Sequence, residues 1–248
     1  MKYVVIVTAF VLGAVASSPG QAQPAAPLVD PAAVQILKAA GDRLASARTM
    51  VFTATATHDV PNAEGQSILL TERSKVEMQR PHRLRVITEG DGPRIEFLTD
   101  GRTMVLFRSG DGTVATAPAG ATLDDTLRSE VQAFGQTQAV ADMLLSDPAK
   151  GLTEGLTRAF VVGRTRMVGG VETDIVAFTA PGAQGQIWVG AKDRLPRQLT
   201  VTETDTPGRP RNSVTFSGWS LDRPIPGKTF SLAHTAQGKP VPFAQPGL

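Results

Sequence analysis

The chain has 248 residues, with 25 Lys and Arg against 23 Asp and Glu and no cysteine. The missing thiols exclude disulfides, thiolate metal sites, a cysteine nucleophile and the acylated cysteine of a bacterial lipoprotein. Charge is nearly balanced and no long run of one sign occurs. A phosphate-tracking surface for nucleic acid is therefore excluded, although the pI is 9.1.

Lys2, an apolar run from Tyr3 to Ala16 and then Ser17, Ser18, Pro19 and Gly20 follow the charge, core and small-residue order of a secretory signal. Small residues at −1 and −3 fit cleavage after Ala16, with Ala14, or after Ala22, with Gly20. Pro19 and Gly20 break the preceding helix, which favours Ala22. Residues 1–22 are thus read as a signal peptide and 23–29, rich in Pro and Ala, as a flexible leader. The apolar run is too short for a hydrocarbon core of about 30 Å, and no later segment approaches that length. The mature chain is expected outside the cytoplasm, without a transmembrane anchor.

Asp30 is placed as an N-cap with Pro31 at the first helical position, and Val34, Leu37, Gly41 and Leu44 recur at helical spacing. A helix over 31–47 should lay that stripe on a sheet. The period then changes to two. Strands are predicted at 49–58, 67–80, 83–88, 94–99, 103–108 and 113–117, separated by Pro, Gly, Asn and Asp turn signals. Thr122 and Asp125 then form a capping box before Leu123, Leu127, Val131 and Phe134. With Val140, Met143 and Leu144 they mark a helical insertion at about 122–156. Strands resume at 159–168, 171–179, 185–189, 197–204 and 212–221. The whole of 30–232 reads as one mostly β (α+β) domain, an antiparallel meander with a helical insertion, followed by a loosely packed, proline-bearing tail at 233–248.

Particular residues resemble those of a known family. Arg80, Pro81, Arg83, Leu84 and Arg85 match its Arg-Pro and alternating basic and apolar run, and Asp100, Gly101 and Thr103 match its hairpin. Leu144, Ser146, Asp147 and Pro148 match the end of its helical insertion. Gly169, Gly170 and Val171, then Gln186, Trp188, Leu195, Pro196, Arg197 and Trp219, match its later strands and turns. On these residues the chain resembles DUF2092, a periplasmic family of the LolA-like (lipoprotein carrier) superfamily, from about Asp30 to Phe230. The resemblance implies a strongly curved sheet, an incomplete β-barrel, whose concave side is covered by helices and holds lipid or acyl chains. It also implies a periplasmic location. Many relatives carry a Cys or His shortly after the Gly-Val turn; here Thr173, Asp174 and Ile175 stand there, so no role of such a group transfers.

His58, His82 and His234 lie far apart, and none has a partner at metal-ligand spacing. GxSxG, GxGxxG and Walker-type sequences are missing, so acyl transfer and nucleotide use have no local support. The reading is therefore not an enzyme, with no cofactor and no metal. The expected partner is a hydrophobic small molecule, a lipid or a lipoprotein acyl chain. Phe52, Phe97, Leu106, Met143, Leu144, Phe178 and Trp188 are the ligand-lining candidates, with core packing as the competing role for each. Arg80, Arg83 and Arg85 are candidates for contact with an anionic headgroup, or else belong to a solvated strand face. A sensor or protein-interaction module with a filled cavity is the alternative function.

Overall fold

A computed structural model describes residues 28–61, 66–134 and 140–243. The expected signal peptide, and the leader as far as residue 27, lie outside these.

Helix α1 (Pro31–Ala45) begins as its sequence dictates: Asp30 caps it by accepting from the Ala32 backbone N–H at 2.8 Å, and Pro31 follows. Its buried stripe is Ala33, Leu37, Ala40, Gly41 and Leu44. Strands β1 (Thr49–Pro61), β2 (Ser67–Gln79), β3 (Arg83–Gly90), β4 (Ile95–Thr99), β5 (Thr103–Arg108) and β6 (Thr113–Pro118) form a first antiparallel meander. The helical insertion comprises α2 (Leu123–Phe134), a 3₁₀ turn (Ala141–Met143) and α3 (Pro148–Thr153). A second meander follows: β7 (Arg158–Thr165), β8 (Thr173–Ala180), β9 (Ala183–Gly190), β10 (Pro196–Glu203) and β11 (Arg211–Leu221).

The expected single meander is thus two, joined where β11 returns to pair antiparallel with β1 along Met50–His58. The result is one curled twelve-stranded sheet in the order β12-β6-β5-β4-β3-β2-β1-β11-β10-β9-β8-β7. Because side chains alternate, one face collects Phe52, Ala54, Val76, Met78, Leu84, Val176, Ile187, Leu199, Val214 and Phe216. That inner face packs against the α1 stripe and the insertion. Phe52 stacks on Trp219 at 4.3 Å between ring centroids and lies 6.1 Å from Phe216, an arrangement that adds to the burial energy.

Within the proline-bearing tail Thr235 is buried, and the exposed strand β12 (Lys239–Val241) pairs in parallel with β6; Phe230, just before the tail, is buried as well. The cause lies on the outer face of β4 and β5, where Leu98, Val105 and Glu96 are also buried. His234 in the tail reaches the Glu96 carboxylate at 3.1 Å. At the opposite edge the last leader residues are also engaged. Leu28 and Asp30 hydrogen-bond to the Ala159 backbone at 3.0 and 2.8 Å, capping one end of β7.

Candidate functional site: the cavity beneath the helical insertion

Helix α2 starts at the anticipated Thr122–Asp125 pair, with the N-cap half of the box formed: Thr122 Oγ1 accepts from the Asp125 backbone N–H at 3.1 Å, while the Asp125 carboxylate accepts from the Thr122 hydroxyl at 2.8 Å. From there Leu123, Thr126, Leu127 and Glu130 recur three and four residues apart, so they share one face, and all four are buried. Thr126 satisfies its hydroxyl locally, donating to the Thr122 carbonyl and accepting from the Gly120 N–H. Leu127 and Glu130 instead reach a cavity bounded by Leu84, Val86, Phe97 and Leu106 of the sheet and by Val140, Ala141 and Leu144 beyond α2. Its volume is about 50 Å³. That is room for one or a few water molecules, whereas ligand pockets run from about 300 Å³ upwards.

Among the described residues two charged side chains line this cavity, Glu72 of β2 and Glu130 of α2. Burial without a compensating cation pushes the Glu130 carboxyl up to about 7. Neither carboxylate has a hydrogen-bond or ion-pair partner among the described residues.

The insertion is fastened beside the cavity. Asp124 accepts from both the backbone N–H and the hydroxyl of Ser146, at 2.9 and 2.7 Å. Arg80 Nη2, from the end of β2, donates to the Leu145 carbonyl at 2.8 Å. Asp147 then caps α3 through the Lys150 N–H. Helix α3 approaches α1 so closely that a Cβ on Gly41 would stand 2.2 Å from the Ala149 Cα. Among the described residues no element approaches the α2 backbone comparably. The lid is therefore clasped at its ends, and α2 rests on side chains.

The sequence-derived candidates divide among three places. Phe97, Leu106 and Leu144 line the cavity. Phe52 and Met143 are core residues, each at most 1% exposed. Phe178 and Trp188 line an open groove of about 630 Å³ across β7–β11, with Phe160, Arg158, Arg211, Gln184 and Gln186. Arg158, Phe160, Gln184, Gln186 and Trp188 alternate with the buried inner-face set, which puts the groove on the side away from the insertion, whereas Phe178 shares the parity of Val176 and also packs against the core.

The three arginines are not gathered in one place, and none is among the described residues that line the cavity. Arg80 is held by Leu145. Arg85 alternates with Leu84 and Val86, faces outward and bonds Glu96 at 2.7 Å, with Glu77 at 3.7 Å. Arg83 is exposed at the start of β3. Glu130 was missed by the sequence reading, although its place seven residues after Leu123 put it on the apolar stripe of α2. Among the described residues no group of three or more His, Asp or Glu is placed to hold a metal ion.

The model of the family described as "Predicted periplasmic protein (DUF2092)" matches residues 33–244. The chain belongs to DUF2092. The family description puts this DUF2092 protein in the periplasm. Among the described residues no helix is long and apolar enough to cross a membrane. Solved structures with a similar chain path include MucB, with TM-score 0.46 and 16% identity over 81% of this chain and 62% of that one. LprF from Mycobacterium bovis gives 0.49 and 14% over 81% and 98% of the two chains. A LolA superfamily protein from Nitrosomonas europaea gives 0.38 and 11% over 82% and 98%. The chain thus spans less than two thirds of the length of MucB. No curated protein matches it.

The residues that carry the DUF2092 resemblance prove to be ties of the fold. Arg80, Ser146 and Asp147 make the clasp just described. Asp100 accepts from the N–H groups of Arg102 and Thr103 across its turn, at 2.8 and 2.9 Å. Burial works to raise the Asp100 carboxyl, and these backbone bonds outweigh it, so the group titrates below the usual range. Gly101 takes a positive φ of 96° against His82, whose Cβ would be 2.7 Å from any added side chain. Trp219 donates its indole N–H to the Pro196 carbonyl at 2.9 Å, and Arg197 bonds back to Asp193 and to the Leu195 carbonyl.

Proposed function

We propose that this protein is a non-catalytic periplasmic binding or carrier protein for a hydrophobic ligand, taken up between the inner face of the sheet and the α2 lid. The observation that carries the reading is the apolar cavity beneath α2. It lies where α2 is tied through Asp124 in its first turn and otherwise rests on side chains. At about 50 Å³ the cavity accepts a ligand only when α2 moves off the sheet. An acyl chain of about ten methylenes would contribute roughly 8 kcal/mol on leaving water, before ordering costs. Micromolar affinity is within that range, and part of the surplus is available to displace the lid.

The test is lipid extraction and mass spectrometry of protein purified from the periplasm, paired with titration of a fluorescent apolar probe. Recovery of stoichiometric lipid, or saturable probe binding, is expected. In Leu106→Trp the added ring fills the cavity, and probe binding should weaken at least tenfold while the fold is retained by circular dichroism. No lipid, and no probe binding by the wild type, would refute the reading.

One observation favours a second reading, a protein-interaction module. The interior is nearly filled, while β7 exposes Phe160 and Val162, at 43% and 51%, beside the groove that contains Trp188. A stable partner crosslinked through β7, with no lipid recovered, would favour this alternative.

A further inference from the structure

Three carboxylates among the described residues are buried: Glu96, Glu130 and Asp174. Glu96 is held by Arg85 at 2.7 Å and His234 at 3.1 Å, and Asp174 by Arg164 at 2.7 Å and Arg194 at 3.3 Å. The fold thus supplies cations to two of its buried acids, as the cost of isolating a charge from water requires. It supplies none to Glu130, which is only 6% exposed.

The walls around Glu130 make the omission specific. Leu84, Val86, Phe97, Leu106, Leu127 and Leu144 are apolar, Thr88 adds one hydroxyl, the other charged group is the unpaired Glu72, and among the described residues no Lys, Arg or His lines the cavity. An ammonium group is about the size of a water molecule, and a cavity of about 50 Å³ admits it without rearranging the sheet.

We propose that the cavity beneath α2 seats the cationic head of an amphiphile, with Glu130 as its counter-ion, Glu72 as a second acidic neighbour, and the apolar chain laid along the inner face. This rests on the reading that the inner face takes a hydrophobic ligand, and it names the class: an alkyl amine rather than a fatty acid. A carboxylate head would stand against two carboxyl groups, with the Thr88 hydroxyl, already shared with Ser74 at 2.8 Å, as the neutral donor beside them, so the selection is by repulsion as well as attraction. In the empty cavity desolvation keeps Glu130 partly protonated near neutrality; an ammonium neighbour stabilises its ionised form and is stabilised in return.

The experiment is displacement of a neutral naphthalene probe by dodecylamine, dodecanol and dodecanoate at pH 7.5, each below its aggregation concentration. Dodecylamine is expected to displace the probe at a concentration at least tenfold lower than dodecanoate, with dodecanol between. Glu130→Gln should abolish the difference between amine and alcohol while leaving dodecanol unchanged, and Glu72→Gln should reduce it less. Equal or better displacement by dodecanoate, or an amine preference that survives Glu130→Gln, would overturn the proposal and leave hydrophobic binding intact. If neither the probe nor any of the three amphiphiles binds, the hydrophobic-ligand reading itself fails, and this inference with it.

Discussion

A single side chain, Glu130, sets the pH behaviour expected of this protein. In the unfolded chain its carboxyl titrates near 4.5, whereas in the fold desolvation raises it to about 7. Between those values the folded state holds a proton that the unfolded state has released. The contribution is fully present below pH 4.5, declines as pH rises, and is gone above about 7. The total is on the order of 3 kcal/mol. Glu72 on β2 is the other charged group at the cavity. Asp142 on the following turn is shifted upward by desolvation as well, so it adds to the slope rather than opposing it. Urea titrations at pH 4.5 and 8 should therefore show Glu130→Gln equal to the wild type at the lower pH and more stable at the higher. A wild-type advantage at pH 8 would mean that Glu130 has a partner there. This residue was legible in principle, since a Glu on an apolar helical stripe is anomalous. Its lack of a cation was not, because partners are set by tertiary approach. Arg85 shows the same limit. Its spacing suited a headgroup ligand, and only the pairing of β3 with β4 put Glu96 beside it.

At the scale of elements, the two halves of the helical cover differ in kind. Helices α1 and α3 meet with almost no side chain between them, because Gly41 lets the Ala149 backbone in. Gly41→Val has to push α3 away, and a loss of about 1–3 kcal/mol is expected from overpacking. The effect should appear as a lower thermal midpoint, together with faster hydrogen exchange in 148–153. An unchanged midpoint would show that α3 is free to shift. Helix α2, by contrast, meets no other helix or strand this closely among the described residues; only Gly120, just before it, comes as near, so α2 is the part available to move. Strand positions were readable almost residue by residue, since alternation and turn chemistry are local. The parting of one meander into two was not. That depends on β11 finding β1, a long-range choice that nothing within either strand announces. The pairing of β12 with β6 was not legible for a related reason: the prolines of the tail are a local signal, while the apolar outer residues Leu98 and Val105 sit more than a hundred residues earlier.

For the whole molecule, an open twelve-stranded sheet leaves two edges to manage. One is β12, a three-residue strand of Lys239, Pro240 and Val241 in which the proline and the lysine discourage further pairing. The other is β7, capped at one end by Leu28–Asp30. Removing residues 232–248 uncovers β6 and withdraws His234 from Glu96. The shortened chain is expected to self-associate in light scattering and to unfold at lower urea. A monomer of unaltered stability would show that the tail is ornamental. The seam between the two meanders has a further effect, in time rather than in space. Residues 50–58 meet residues 212–221, so the sheet stays in two separate sections until the last long strand has been made. Pairings between such remote segments are slow to form. A chain that cannot knit itself together before its far end arrives remains threadable during synthesis, as a polypeptide bound for the other side of a membrane must.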